Sequence, residues 1–182
     1  MMTRRHIGLA MVWVLTIVSA ALLTAQAQVT KESVPGIVNF SKVETTVACA
    51  GATTPAALAE VKRMGYASVV NLRLASEAGA EIEAEAAAAR TAGLNYVHLP
   101  FNAAAPDPML VDNFLKAVTD AKNQPAFIHC ASANRAAALW MIKRVEVDKW
   151  DVERASAEAA ALGLTNPALK TFVMDQIQAR KK

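Results

Sequence analysis

The 182-residue chain carries 19 Lys and Arg against 16 Asp and Glu, and 54% of it is hydrophobic, a length that suits one domain with its own core. Setting aside Arg4 and Arg5 leaves 17 basic residues against 16 acidic. With no basic stripe interleaved with aromatics, the charge gives no argument for nucleic acid, and no nucleic-acid partner is expected.

The N-terminal stretch "MMTRRHIGLAMVWVLTIVSAALLTAQA" places Arg4 and Arg5 ahead of an apolar run, Ile7 to Leu23, and closes on Ala25-Gln26-Ala27. This is the pattern of a secretory signal with an A-x-A cleavage site, so residues 1–27 are expected to be removed and the protein to be periplasmic or secreted. An uncleaved anchor is the competing reading, because the run approaches the ~18 residues that span a bilayer. No later segment is long and apolar enough, so no stable membrane span is expected after cleavage. Residues 28–39 read as a leader and 40–182 as the domain.

Within the domain, "GIVNFSKVETTVACAG" (36–51) alternates loosely and predicts one or two short strands ending near Cys49. "TTPAALAEVKRMG" (53–65) predicts a helix capped by Thr53 or Thr54, with Pro55 in its first turn, apolar Leu58 and Val61, and Gly65 as its stop. "YASVVNLRL" (66–74) follows as a buried strand, and "SEAGAEIEAEAAAARTAG" (76–93) as a helix capped at or near Ser76 and ended by Gly93. "LNYVHLPF" (94–101) is a strand in which His98 has a structural place.

"PDPMLVDNFLKAVTDAK" (106–122) is a helix turning Met109, Val111, Phe114, Leu115 and Val118 inward, and "PAFIHC" (125–130) is another strand. Three helical segments close the chain, over 134–147, 148–163 and 166–182, with Trp140 in the core and Trp150 packing the C-terminal helices. Strands alternating with helices imply an α/β fold whose mainly parallel sheet is flanked by helices.

In such a sheet, ligands gather where strands end and helices begin. "HCASANRAAALW" (129–140) occupies that junction. The N–H groups of Ala131, Ser132, Ala133, Asn134 and Arg135 could form an anion-binding nest reinforced by the helix dipole. That setting favours Cys130 as the attacking thiolate. Arg135 can curl back as a planar two-pronged donor to an oxyanion. Ser132 could steady the thiolate, and His129 could orient the loop by hydrogen bonding. The strand "SVVNL" would end on the same sheet edge and bring Arg73 there as a second cation; a plain Arg73–Glu77 surface pair is the other reading. Two cysteines give no zinc framework, and Cys49 with Cys130, 81 positions apart, could form a structural disulfide in an oxidising compartment.

"HCASANRAAALW" resembles the signature of the phosphatase-like domain of beta-lactamase hydrolase-like proteins, a family similar to dual-specificity and tyrosine phosphatases whose usual motif runs His-Cys-x-Ser-Gly-x-Arg. The resemblance extends through "ACAGATTPAALAEVKRMGYASVVNLRLASE" and "AGLNYVHLPF" and covers roughly Phe40 to Gly163. It implies a phosphatase-like fold, Cys130 as nucleophile, Arg135 as oxyanion binder, and Arg73 and Glu77 near the site. It also implies phosphate-ester hydrolysis through a phosphocysteine, on a phosphorylated small molecule or protein, with no metal or organic cofactor. Cys49 would lie toward the active-site side, as a resolving thiol or a buried small residue.

Four features depart from the family motif or from the wider tyrosine-phosphatase pattern to which the family is similar. Four residues separate Cys130 from Arg135, where tyrosine-type phosphatases have five, and a four-residue loop also resembles that of rhodanese-like sulfurtransferases. Ala133 replaces the usual Gly, which strains the loop by ~1–2 kcal/mol if the position needs a positive φ. The superfamily places an Asp after the preceding strand; here Asn102 and Ala103 hold the expected positions, and Asp107 is the only carboxylate in the loop, either general acid or helix cap. Ala136 replaces a hydroxyl that helps expel the thiolate. Two alternatives therefore stand beside the phosphatase reading: sulfur transfer through a Cys130 persulfide, and non-catalytic binding of an anion or phosphoprotein.

Overall fold

The computed structural model describes residues 28–43 and 45–181; the expected signal segment, residues 1–27, lies outside the described residues. Six strands, β1 (Val29–Lys31), β2 (Ser41–Val43), β3 (Val47–Ala50), β4 (Ser68–Asn71), β5 (Asn95–His98) and β6 (Ala126–His129), form one sheet in the order β1-β2-β3-β6-β4-β5. The β3–β6, β6–β4 and β4–β5 pairings are parallel, and β1 and β2 extend the sheet antiparallel at one edge. The fold is thus α/β with a mainly parallel sheet, as the alternating pattern predicts. Strand β1 lies within the segment read as a leader, its Thr30 paired with Lys42.

Alternation along the strands sorts side chains onto two faces. Val47, Cys49, Val70, Leu72, Ile128 and Cys130 face one core layer with helices α3 (Leu110–Thr119), α4 (Asn134–Glu146), α5 (Val152–Leu162) and α6 (Pro167–Arg180). Ala48, Ala50, Val69 and Phe127 face the other with α1 (Leu58–Arg63) and α2 (Ile82–Ala92). Helix α4 is buried from Ala136 to Val145, so Ala136, Ala137 and Ala138 supply the small side chains that a central helix needs to approach the sheet. Among the described residues, no helix is long and apolar enough to cross a membrane.

Two expectations are corrected locally. Helix α2 begins at Ile82, well after Ser76, because Gly79 takes φ +69° and residues 74–80 fold into turns closed by Glu77 N–H to Leu74 O and Ala80 N–H to Glu77 O. Met109 is 53% exposed rather than inward, since it sits at the N-terminal boundary of α3, while Val111, Phe114 and Val118 are buried and Leu115 is partly so. The stop signals at Gly65 and Gly93 both hold, each with positive φ.

Candidate active site

Strand β6 lies inside the parallel group, between β3 and β4, so the residue after it emerges between two neighbouring strand ends. That residue is Cys130, fully buried and not itself part of the lining of the cleft above the turn. Its N–H donates to Ala50 O (3.1 Å), and Ala52 N–H donates to Ala131 O (3.1 Å). Gly51 permits this stitching: a Cβ there would meet Val38 O at 3.0 Å and Ala131 O at 3.1 Å, both backbone atoms that cannot step aside.

The chain then turns into α4 through Ala133, at φ +75° and ψ −19°. The left-handed conformation expected of a glycine is therefore adopted by an alanine. The first N–H of the turn used inside the fold is that of Ala137, which donates to Ala133 O (2.9 Å). Ser132 forms an isolated antiparallel bridge with Gly51, while the N–H groups of Ala131, Asn134, Arg135 and Ala136 donate to no described residue, leaving these four at the helix N-terminus open to an anion.

Arg135 is tethered beside this turn. Its Nη1 donates to Glu77 Oε1 (2.7 Å), Phe101 O (2.8 Å) and Leu72 O (3.2 Å), and its Nη2 donates to Glu77 Oε2 (2.9 Å). Glu77 thus grips one edge of the guanidinium, and the Cys130 sulfur lies within hydrogen-bonding reach of the group. Burial opposes the Arg135 charge, but hydrogen bonding to Glu77 and the nearby Cys130 sulfur outweigh it and raise its pKa. Burial likewise pushes the Glu77 carboxyl up, yet Arg135 and the Leu74 N–H overcome it and bring its pKa down to about 2. Glu77 is therefore a permanent anion that fixes Arg135.

The other residues singled out in the sequence have different roles. Strand β4 does end beside Cys130, with Asn71 in register with His129, but Arg73 does not reach the cleft. Its guanidinium is buried and engaged by Ala78 O (2.6 Å), Gly79 O (2.7 Å) and Glu77 Oε2 (3.4 Å), because the turns after β4 present those acceptors at close range. His129 does not bond the loop. It points to the opposite face and donates through Nε2 to Glu85 Oε1 (2.5 Å), while Glu85 Oε2 accepts from Asn71 Nδ2 (3.0 Å). His98 is structural, donating to Arg73 O (2.8 Å).

Asn134 Oδ1 accepts from the N–H groups of Thr165 and Asn166 (2.8 Å each), clamping the entry to α6. Ser132 Oγ accepts from Asn134 Nδ2 (3.4 Å) and forms no hydrogen bond with Cys130. Asp107 is exposed and accepts from Met109 N–H (2.7 Å), stabilising the approach to α3. Cys49 and Cys130 are both buried and both free, so the disulfide expectation is not met; burial first, then the Cys130 sulfur, pushes the Cys49 thiol well up.

A cleft of about 330 Å³ opens over the turn, lined by Glu77, Asn102, Ser132, Asn134, Arg135 and Asn166 among others. Sequence reasoning missed Glu85 and Asn166 as parts of this arrangement. Asn166-Pro167 is a legible helix start, but nothing local says that α6 begins at the cleft; Glu85 is one glutamate among several in an Ala/Glu-rich run.

Residues 39–147 match the family model described as the phosphatase-like domain of beta-lactamase hydrolase-like proteins. Among curated proteins, none matches. Among solved structures, the chain is similar to a DUF442 protein from Shewanella putrefaciens, at 19% identity and a TM-score of 0.66, covering 83% of this chain and 98% of that one. It is similar to TpbA of P. aeruginosa at 19% identity and a TM-score of 0.64, covering 86% of this chain and 97% of that one; TpbA has also been solved in complex with phosphotyrosine. The catalytic core of SIW14, a PP-IP phosphatase from S. cerevisiae, matches at 17% identity and a TM-score of 0.62, covering 81% and 93% of the two chains. At these identities the likeness establishes the fold.

Proposed function

This chain belongs to the phosphatase-like domain family of beta-lactamase hydrolase-like proteins, an enzyme family of phosphoester-hydrolase type, and from that premise we propose that it transfers phosphoryl groups to Cys130 and then to water. The observation that carries the reading is the Arg135 guanidinium, held by Glu77 and close to the Cys130 sulfur, beside a turn with backbone N–H groups unpaired among the described residues. Phosphate entering the turn meets backbone donors on one side and the planar guanidinium on the other, which matches the equatorial oxygens of a transferring phosphoryl group. Cys130 Sγ attacks phosphorus, forming a phosphocysteine that water hydrolyses.

The substrate class is a phosphorylated protein or small molecule, a reading supported by the phosphotyrosine complex of TpbA and the PP-IP activity in the name of SIW14. The sequence of residues 1–27 supports export; recovery of the protein outside the cytoplasm with Gln28 at its N-terminus would establish it.

The test is hydrolysis of an activated aryl phosphate under reductant, with Cys130→Ser alongside. Turnover by the wild type that is lost in the variant is expected. The four-residue spacing between Cys130 and Arg135 favours one second reading, sulfur transfer: thiosulfate turnover with persulfide on Cys130, and no phosphate release, would replace the first. Phosphate binding that survives Cys130→Ser, with no turnover by the wild type, would instead make this a binding module.

A further inference from the structure

Expelling an alkoxide requires a proton from the protein, and a positioned acid typically contributes about 10²- to 10⁴-fold in rate. Among the described residues, the only carboxylate lining the cleft is Glu77. Bound by both terminal nitrogens of Arg135 and with its pKa at about 2, it has no proton to give at neutral pH. Asp107 is outside the lining and is engaged by Met109 N–H.

The cleft lining contains three asparagines whose side-chain oxygens each accept at least one backbone hydrogen bond. Asn102 Oδ1 accepts from Ala104 N–H (3.1 Å), Asn134 Oδ1 from the N–H groups of Thr165 and Asn166 (2.8 Å each), and Asn166 Oδ1 from those of Ala168 (2.9 Å) and Leu169 (3.2 Å). Asn134 and Asn166 thereby use both lone pairs of their side-chain oxygens and Asn102 one of its two, and the amide NH₂ of each is a donor. One of these, Asn134 Nδ2, is directed to Ser132 Oγ (3.4 Å), so Asn102 and Asn166 hold the uncommitted donors. A wall of donors without an acid suits a leaving group that departs as an anion and remains one.

We propose that the preferred substrates are phosphoanhydrides, in which the leaving group is itself a phosphate; this rests on the phosphoryl-transfer reading of the same cleft. Cys130 Sγ forms its bond to the terminal phosphorus as the bridging P–O bond breaks, and the electron pair departs on a phosphate oxygen that needs no proton. The amides of Asn102 and Asn166 donate to that departing phosphate. Water then breaks the S–P bond, releasing phosphate and returning the thiolate, with the surplus proton passing to solvent.

The experiment compares inorganic pyrophosphate, nitrophenyl phosphate, phenyl phosphate and glycerol phosphate as substrates for the wild type and for Asn102→Ala, Asn102→Asp and Asp107→Asn. In the wild type, kcat/KM is expected to fall by about 10²-fold or more from nitrophenyl to glycerol phosphate, with pyrophosphate cleaved at least as well as the nitrophenyl ester. Asn102→Ala should lower pyrophosphate turnover more than nitrophenyl ester turnover, and Asn102→Asp, by installing an acid, should raise glycerol phosphate turnover. Asp107→Asn should leave the ranking unchanged. Similar rates on nitrophenyl and glycerol phosphate, a steeper ranking in Asp107→Asn, or intact pyrophosphate beside a hydrolysed aryl ester would overturn the proposal and leave the phosphatase reading standing. Failure of every substrate with folded, reduced protein would overturn both.

Discussion

Arg135 and Glu77 act as a unit at the level of single residues. Arg135→Lys keeps a charge but cannot satisfy Glu77 and a phosphoryl group at once. A loss of about 10²- to 10³-fold in kcat/KM is expected from steady-state kinetics, the scale of removing one oriented donor from a charge-stabilising site. Glu77→Gln leaves Arg135 charged but loosely held, and a misplacement of this kind can cost about 10²-fold. It also carries a pH signature. The Glu77 carboxyl sits at about 2 in the fold and near ~4.3 in an unfolded chain. Because the folded value is the lower, its stabilisation is complete above the unfolded value and is lost as pH falls through the folded one. Denaturation followed against pH should therefore show the wild type more stable than Glu77→Gln at neutral pH, with the gap closing on acidification from about pH 4 to about pH 2. Ala133, at φ +75°, gives a third prediction. Replacement by Gly should raise the denaturation midpoint, by up to about 1 kcal/mol of stability, as left-handed strain of ~1–2 kcal/mol is relieved and part of it is offset by glycine's chain entropy.

Among the elements, α4 has to hold the turn at one end and the C-terminal helices along its length. Its Arg144 donates to both oxygens of Glu158 on α5 (2.7 and 3.0 Å), and Trp140 Nε1 donates to the same carboxylate (2.8 Å). The Arg144 guanidinium also lies over the Trp140 and Trp150 rings, at 4.8 and 4.1 Å from their centroids. Removing one partner strands a buried charge, so Arg144→Ala should destabilise the fold by about 3–5 kcal/mol in a denaturant titration. Sequence patterning located α4 and its neighbours because Gly, Pro and Asn punctuate their ends. It mistook the start of α2, where Ser76 resembles a cap but Glu77 is drawn into the Arg135 pair and Gly79 turns the chain. It also missed β1, a three-residue strand whose existence depends on β2 being there to pair with it.

Over the whole molecule, what could be read in advance followed from direction. Parallel strands must end on one edge, so Cys130 and the end of β4 were bound to meet. Which side chains there remained available was not legible. Arg73 and Arg135 are both arginines near one edge, yet the first is closed off by carbonyls of its own turns and the second is held by Glu77 beside the Cys130 sulfur and lines the cleft. His129 follows the same logic: the alternation that puts Cys130 on one face of the sheet puts its neighbour on the other, against Glu85.

The central claim is that phosphorus becomes bonded to Cys130 during turnover. The most direct measurement is mass spectrometry of protein quenched in acid while hydrolysing an activated aryl phosphate. A phosphoryl adduct confined to the peptide carrying Cys130, absent from Cys130→Ser, is predicted. Phosphate release by the wild type with no adduct at any time, and undiminished release by Cys130→Ser, would contradict the account.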